Sequence, residues 1–237
     1  MLTGFRTQRV EPQGHRVVLY GEDGRTVEGE RLLVATGRRP NTQGLGLDVA
    51  GVALGERGEV VVDETLRTTN PTVYAAGDVL GRDMFVYVAA YAGGLAAENA
   101  LTGSGRRYDV GYIPRVTFTD PQVASAGLTE EQAREQGLAV KVSLLPMEHV
   151  PRALAARDTR GLIKLVADAT TDRLLGAHIL ASEAGEMIQI AALALKWGIT
   201  VSDLRETIFL YLTYGEGIKL AVLAFDKDVA MLSCCAG

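Results

Sequence analysis

Two adjacent cysteines near the end of the chain are the residues whose types and spacing point most directly to chemistry. Cys234 and Cys235 are the only cysteines among 237 residues, so the count excludes a disulfide framework. Thiolates bind soft metal ions, and an accessible pair can capture such an ion and pass it on by thiol exchange. Incidental surface thiols or a strained disulfide between neighbours are the alternatives. A zinc site is disfavoured, because only three histidines and two cysteines are available for about four ligands.

A second candidate is the dipeptide Gly77-Asp78, which ends an apolar run at 73–76. In open α/β sheets, ligands bind beyond the carboxyl ends of the strands. The glycine lets the backbone approach a cofactor, and the aspartate can accept hydrogen bonds from a sugar-alcohol hydroxyl. The following helix would offer free N–H groups. An ordinary turn is the alternative, but the nearby string ATGRRPN at 35–41 favours a cofactor site.

Composition narrows the class of protein. Hydrophobic residues make up 47% and charged residues 22%, which is typical of a globular chain. The net charge of -5 and the lack of a basic block disfavour nucleic-acid binding. No apolar run is long enough to predict a membrane span, and the first residues lack a signal-peptide core. We therefore expect a cytoplasmic protein.

The pattern of the first hundred residues predicts mostly strands and turns around one helix. An Ala-rich apolar stretch predicts a buried helix at 85–101, and Gly103–Gly105 predicts a domain boundary. The predicted strands are a hairpin of 17–20 and 25–30 around a turn at 21–24, buried strands at 31–35 and 73–76, and a short strand at 60–62.

The second half predicts an α+β domain. Thr129 is a predicted N-cap for a helix that Gly137 ends. The predicted strands are 115–119, 140–145, 161–167 and 174–180, and further helices are predicted at 182–196, 202–206 and 216–225. Trp197, at the end of one of these helices, is a predicted core or interface anchor. The histidines have no assigned role.

Taken together, these strings resemble the flavin-dependent pyridine nucleotide–disulfide oxidoreductases, and within them the mercuric reductase family. The resemblance covers essentially the whole chain. It rests on ATGRRPN at 35–41, YAAGD at 74–78, FVYVAA at 85–90, FTDPQVA at 118–124, VPRAL at 150–154, YLT at 211–213, EGIKL at 216–220 and LSCCAG at 232–237. It implies a fold of class α/β plus α+β, in which a partial FAD/NAD(P)-binding sheet domain precedes an α+β dimerisation (interface) domain.

The resemblance also implies roles for single residues in binding FAD, with NADPH as co-substrate. Asp78 would bind the ribitol of FAD, and Gly77 would let the backbone approach it. Val86 and Val88 would lie against the flavin ring.

At the other end of the chain, the resemblance implies a shared active site in a homodimer whose substrate is Hg(II). Tyr211 stands where the disulfide reductases have a histidine, and Glu216 where they have a glutamate. Tyr211, Glu216, Cys234 and Cys235 are the predicted catalytic residues, and Tyr211, Cys234 and Cys235 the predicted metal-binding residues. A tyrosine suits a metal substrate, because reduction of Hg(II) needs no protonated leaving thiolate.

The family's Gly-rich dinucleotide fingerprints and its redox-active cysteine pair have no counterpart in this sequence. We therefore expect a truncated chain that lacks activity alone. Residues 1–40 would end the NADPH-binding domain, 41–105 would form the C-terminal part of the FAD-binding domain, and 106–237 would form the interface domain with its Cys-Cys tail. The alternatives are a fragment of a dihydrolipoamide- or glutathione-type disulfide reductase, or a non-enzymatic dimerisation or metal-binding module.

Overall fold

A computed structural model describes residues 1–228 of the chain. The chain divides into two compact units, the first formed by residues 1–105 and the second beginning at Arg106. The division falls at the glycine-rich segment that follows the first helix. None of the helices among the described residues is both long enough and apolar enough to cross a membrane.

The first unit opens with a small antiparallel sheet. Its strands are β1 (Thr7–Gln13), β2 (Arg16–Gly21) and β3 (Thr26–Gly29), and they lie in the order β1-β2-β3. The predicted hairpin is confirmed as β2 and β3, which pair from Val17↔Gly29 to Tyr20↔Thr26. Gly24 adopts a φ of 80° in the turn between them, a conformation that glycine reaches without steric cost.

The other three predicted strands of this unit are wrong. Residues 31–35 form no strand, and the side chains of Leu33 and Val34 are 87% and 71% exposed. Residues 60–62 and 73–76 contribute only isolated bridges, such as Arg67↔Tyr74. A strand is held by ladder hydrogen bonds to a neighbour, and no described segment pairs with 31–35. An apolar run without a paired neighbour therefore stays irregular.

Helix α1 (Val86–Thr102) confirms the helix predicted at 85–101. It ends at Gly103, whose φ of 66° gives the left-handed C-cap that glycine favours. The expectation of a helix buried on every side is wrong. Val88, Ala92 and Leu95 face the interior of the unit, whereas Leu101 is 85% exposed. The described part of the unit covers only one face of this apolar helix.

The second unit is built on a five-stranded antiparallel sheet with the order β4-β5-β8-β7-β6. The strands are β4 (Arg115–Thr117), β5 (Gln122–Gly127), β6 (Val140–Pro146), β7 (Leu162–Asp168) and β8 (Leu174–Ala181), and the helices are α2 (Glu130–Glu135), α3 (Pro151–Ala156), α4 (Ala184–Trp197), α5 (Val201–Glu206) and α6 (Glu216–Leu223). All four predicted strands and all four predicted helices are confirmed. Strand β5 and helix α3 were not predicted from the sequence.

Local sequence explains why several of these elements begin where they do. The Thr129 hydroxyl accepts from the Gln132 N–H, and the Gln132 side chain accepts from the Thr129 N–H, which completes a capping box for α2. Thr200 and Asp203 form the same arrangement at the start of α5. These reciprocal hydrogen bonds satisfy backbone donors that a helix start would otherwise leave unpaired.

Helices α4 and α6 supply much of the core of the second unit. Helix α4 packs against β4, β5 and β8, and α6 packs against β6 and β7. Met187 and Ile188 of α4 and Ile218 of α6 are at most 1% exposed. At the end of α4, Trp197 is 72% exposed, so it is not a core residue of this unit, and its other predicted role, as an interface anchor, stays a prediction.

Asp172 joins three elements of the second unit. It lies in the turn between β7 and β8, and its carboxylate accepts from the Lys141 ammonium of β6. It also accepts from the N–H and hydroxyl of Ser202 in α5, at 2.9 and 2.7 Å. Burial raises the pKa of this carboxyl, but the hydrogen bonds from Lys141 and Ser202 outweigh that effect and lower the pKa from 3.8 to about 2.

We expect the Asp172→Asn variant to lower the free energy of unfolding at pH 7 by about 1–2 kcal/mol, because it removes charge-assisted hydrogen bonds. Asparagine tolerates the φ of 61° at this position, so the backbone is not strained further. The folded-state pKa is the lower one. The ionised carboxylate therefore stabilises the fold above pH 3.8, and this contribution is lost as the pH falls toward about 2.

Urea unfolding at pH 7 and at pH 2.5 measures this effect. The difference in free energy of unfolding between wild type and Asp172→Asn should reach its largest value at pH 7 and should be smaller at pH 2.5. Glu131→Gln, at an exposed position in α2, is the control and should follow the wild type at both values. Equal stability of wild type and Asp172→Asn at pH 7 would show that the Asp172 carboxylate does not stabilise the fold.

Candidate functional site

Gly77 and Asp78 lie together just before α1. Gly77 has a φ of 82°, and a Cβ built on it would stand 3.2 Å from the Cβ of Ala89. Only glycine takes this backbone conformation cheaply this close to the helix. Asp78 begins a short 3₁₀ helix at Asp78–Leu80, and its side chain is 46% exposed. The described residues thus leave a carboxylate accessible at the end of an irregular segment.

The Arg38 guanidinium holds this carboxylate from the ATGRRPN segment. Its Nη1 donates to Asp78 Oδ2 at 3.0 Å, and its Nη2 donates to the Met84 carbonyl. Arg38 therefore ties together the two strings that suggested a cofactor site, 35–41 and 74–78. Arg38 belongs to a motif recognised in the sequence, but no role was predicted for it there.

Val86 and Val88 lie on opposite sides of α1. The side chain of Val86 is 84% exposed, whereas Val88 is 4% exposed and belongs to the interior of the first unit. Two residues on a helix that are two positions apart point in nearly opposite directions. The structure therefore does not bring these two predicted flavin contacts together. Val86 remains available to a ligand on the exposed face, and Val88 does not.

Tyr211 and Glu216 flank the turn that leads into α6. Tyr211 is 57% exposed and Glu216 is 4% exposed, so the first faces outward and the second is enclosed. Glu216 Oε2 accepts a hydrogen bond from the Leu212 N–H at 3.0 Å. The structure thus brings the two predicted residues to one turn, and the contact runs through the backbone next to Tyr211.

An apolar groove runs beside this turn, with a cavity volume of about 440 Å³. Ile208 and Leu210 border it and are 96% and 76% exposed. Met187 and Ile190 of α4 and Phe209 also line it. No role was predicted from the sequence for residues 207–210. The string TIFLYL was the available signal, because it places large apolar side chains on a segment without a helical or strand period.

The predicted metal-binding cysteines, Cys234 and Cys235, lie outside the described residues. Residues 1–228 contain no group of three or more His, Cys, Asp or Glu side chains arranged to hold a metal ion. The metal-binding role of the cysteines and of Tyr211 stays a prediction.

Two sequence profiles match the chain. Residues 1–93 match the pyridine nucleotide-disulphide oxidoreductase profile, and residues 113–222 match the dimerisation domain of the same family. The chain belongs to the pyridine nucleotide–disulphide oxidoreductase family. The predicted fold class, a partial nucleotide-binding unit followed by an α+β dimerisation domain, is therefore confirmed.

Curated relatives within the family are similar over the whole chain. It is 54% identical to mercuric reductase of Bacillus cereus over 241 residues, 50% identical to that of Staphylococcus aureus and 52% identical to that of Streptomyces lividans. These alignments cover 99–100% of this chain but only 38%, 44% and 50% of the relatives. The chain spans half or less of the length of these proteins.

Solved structures of the family share the fold. A structure of LpdA from Mycobacterium tuberculosis has a TM-score of 0.86 at 31% identity, with 92% of this chain and 48% of that chain covered. The HOCl-induced flavoprotein disulfide reductase RclA from Escherichia coli has a TM-score of 0.79 at 32% identity, covering 93% of this chain and 50% of its own.

Enzymes of this oxidoreductase family use FAD together with NADPH. The described residues fit one end of that cofactor. Gly77 leaves space where a side chain would stand against Ala89, Asp78 offers an accessible acceptor, and Val86 offers an exposed apolar side chain at the start of α1. This acceptor and this exposed apolar side chain suit a polyol chain next to an apolar ring system.

Proposed function

We propose that this chain forms part of an FAD-dependent mercuric reductase, which reduces Hg(II) to Hg(0) with NADPH. The observation that carries the proposal is the identity of 50–54% to mercuric reductases of three bacteria across essentially all residues of this chain. In the balanced reaction, NADPH loses a hydride to give NADP⁺, its two electrons reduce Hg(II) to Hg(0), and a proton is released.

Within that enzyme, we assign residues 1–40 to the end of the NADPH-binding domain and 41–105 to the C-terminal part of the FAD-binding domain. Residues 106–237 would form the interface domain with its Cys-Cys tail. The two matched profiles, at 1–93 and 113–222, support a change of domain between them. We also propose that the enzyme is a homodimer, which the match to the dimerisation-domain profile supports.

At the flavin end, FAD when bound would accept electrons from NADPH and pass them on as a pair. Asp78 would accept a hydrogen bond from a ribityl hydroxyl, and Arg38 would hold its carboxylate in one orientation. Gly77 would let the backbone approach, and Val86 would cover apolar ring surface. Val88 would act only indirectly, by packing α1 in place.

At the substrate end, Tyr211 would face Hg(II) in the active site of the partner subunit, because its side chain is exposed on a turn of the dimerisation domain. Cys234 and Cys235 would capture Hg(II) and pass it on by exchange between thiolates. Glu216 was predicted from the resemblance to belong to the same catalytic set, and its carboxylate contacts the backbone of the same turn.

A chimera tests the proposal. The chain replaces the matching segment of the Bacillus cereus mercuric reductase, which leaves that protein's remaining residues upstream. We expect the chimera to bind FAD, to dimerise, and to oxidise NADPH in the presence of HgCl₂ with release of elemental mercury. A folded, flavin-loaded dimer without Hg(II)-dependent oxidation would contradict the proposal.

A disulfide reductase is the second candidate, and the solved structures favour it. RclA carries that description and is 32% identical to this chain. Oxidised lipoamide and glutathione disulfide, supplied to the chimera in place of HgCl₂, separate the two functions. We expect little turnover of either disulfide, since the chain has Tyr211 where a disulfide reductase needs an acid for the leaving thiolate. A dimer that binds no flavin would instead favour a non-enzymatic module.

We expect the Asp78→Asn variant of the chimera to bind FAD at least tenfold more weakly, because a hydrogen bond to a charged acceptor contributes about 1.5–3 kcal/mol. The flavin absorbance that remains with the protein through gel filtration measures this loss. Asp48→Asn, at an exposed position in the same unit, should retain wild-type absorbance. If Asp78→Asn retains as much flavin absorbance as the unsubstituted chimera, Asp78 does not contribute to FAD binding.

A further inference from the structure

Leu212, directly after Tyr211, has an unusual backbone conformation. Its φ is 60°, which lies in the left-handed region that leucine rarely adopts. Such a conformation is unfavourable for a residue with a Cβ and persists only where its surroundings enforce it. The turn that carries Tyr211 therefore needs interactions that hold it.

Two side chains supply those interactions, Thr213 in the turn itself and Glu216 at the start of α6. Glu216 Oε2 accepts from the Leu212 N–H at 3.0 Å. The Thr213 hydroxyl accepts from the Glu216 N–H at 3.2 Å and donates to the Leu210 carbonyl at 2.9 Å. We name this set of three hydrogen bonds the turn clamp. It fixes the backbone on both sides of Tyr211 and joins it to the first turn of the helix.

Glu216 and Tyr211 differ in how accessible their side chains are to a substrate. Glu216 is 4% exposed, and its carboxylate is directed to the backbone of the turn, whereas Tyr211 is 57% exposed. A group that exchanges protons with a substrate needs access to it at hydrogen-bond distance. Glu216 has little surface for such contact, and a carboxylate in the first turn of a helix is also favoured by the helix dipole.

We propose that Glu216 is a positioning residue, which holds the turn at 210–213 so that the Tyr211 side chain is presented to the substrate in one orientation. The proposal rests on the proposed function for the identity of that substrate. It moves Glu216 out of the predicted catalytic set, because its contact with the site runs through the backbone of Leu212. A pre-ordered turn avoids the entropy cost of ordering Tyr211 at each encounter.

A positioning role and an acid–base role for Glu216 predict opposite results for two variants. Glu216→Gln keeps an oxygen that can accept from the Leu212 N–H but cannot carry the charge. Thr213→Val keeps the shape and the carboxylate but removes the hydroxyl from the turn clamp. Positioning predicts that Glu216→Gln retains most function and Thr213→Val loses it. Acid–base catalysis predicts the reverse.

Hydrogen exchange of the 237-residue chain tests the clamp without any assay of activity. Peptides that span 208–216 should exchange at similar rates in wild type and Glu216→Gln, and about tenfold or more faster in Thr213→Val and Glu216→Leu. Glu131→Gln, an exposed first-turn acid of α2, is the matched control and should behave as wild type. Unchanged exchange in both Thr213→Val and Glu216→Leu would overturn the clamp.

Steady-state kinetics of the chimera with HgCl₂ complete the test. We expect Thr213→Val and Glu216→Leu to lower kcat/KM by about tenfold, which corresponds to about 1.4 kcal/mol, and Glu216→Gln to restore most of the Glu216→Leu loss with an unchanged pH profile. Loss of activity or a shifted pH profile in Glu216→Gln, with normal exchange, would overturn the positioning role. If the unsubstituted chimera reduces no Hg(II), the proposed function fails, and the exchange rates still decide the clamp.

Discussion

We expect the Gly161→Ala variant to lower the free energy of unfolding of the second unit by about 3 kcal/mol or more. Gly161 lies directly before β7 with a φ of 105°, and a Cβ built on it would stand 1.8 Å from the Leu180 carbonyl oxygen of β8. The backbone of Gly161 also accepts a hydrogen bond from the Met147 N–H at 3.1 Å. The strand cannot shift away from Leu180 without disturbing the β7–β8 ladder.

Thermal or urea unfolding followed by circular dichroism measures the loss, which should lower Tm by roughly 10 °C in a unit of this size. Gly137→Ala is the matched control. Gly137 has a φ of 77°, but nothing lies within 4 Å of a Cβ built there. Gly137→Ala should therefore lower the free energy of unfolding by only about 1 kcal/mol, which is the cost of the left-handed backbone conformation for alanine. If the two variants unfold at the same temperature, the close approach of Gly161 and Leu180 is incorrect.

The second large effect concerns delivery of the substrate. We expect the double variant Cys234→Ala, Cys235→Ala of the chimera to turn over at least about tenfold more slowly when Hg(II) is supplied bound to a bulky thiol. Two tethered thiolates raise the effective concentration of acceptor sulfur at the ligand, and soft thiolates compete well for a soft metal. Without them, a bulky complex would have to reach an enclosed site intact.

NADPH oxidation with Hg(II) bound to glutathione, and with Hg(II) bound to a protein thiol, measures this effect. With HgCl₂ and a small thiol, we expect a much smaller difference between the double variant and the unsubstituted chimera, because a small complex can enter directly. Ser233→Ala is the control for a change in the same segment. Equal rates with both bulky complexes would exclude the relay role of the cysteines.

Local sequence was sufficient to predict most of the second unit. The pairing of Thr129 with Gln132 marks the start of α2, and Gly198, with a φ of 62°, follows the last residue of α4. The antiparallel strands β6, β7 and β8 follow one another along the chain, so their partners are close in sequence. β5 escaped prediction because VASAG, at 123–127, has small residues and no bulky alternation.

Local sequence predicted the strands of the first unit less well. The apolar composition of residues 31–35 is typical of a buried strand and predicts one. In the structure, however, the side chains of Leu33 and Val34 are exposed. A strand depends on a neighbour that can come from anywhere in the chain, whereas a helix such as α1 forms its hydrogen bonds within itself. Composition therefore predicted the helix correctly and the strands at 31–35, 60–62 and 73–76 wrongly.

The sequence by itself determined the family, the order of most elements in the second unit, and the residue types that could handle a flavin and a soft metal. Only the tertiary structure decided how those residues are placed. It separated Val86 from Val88, joined Arg38 to Asp78, and directed Glu216 to the Leu212 N–H while Tyr211 faces outward. The physical reason is that residue type follows from local chemistry, whereas orientation and burial depend on contacts between segments distant in sequence and on the backbone angles those contacts enforce.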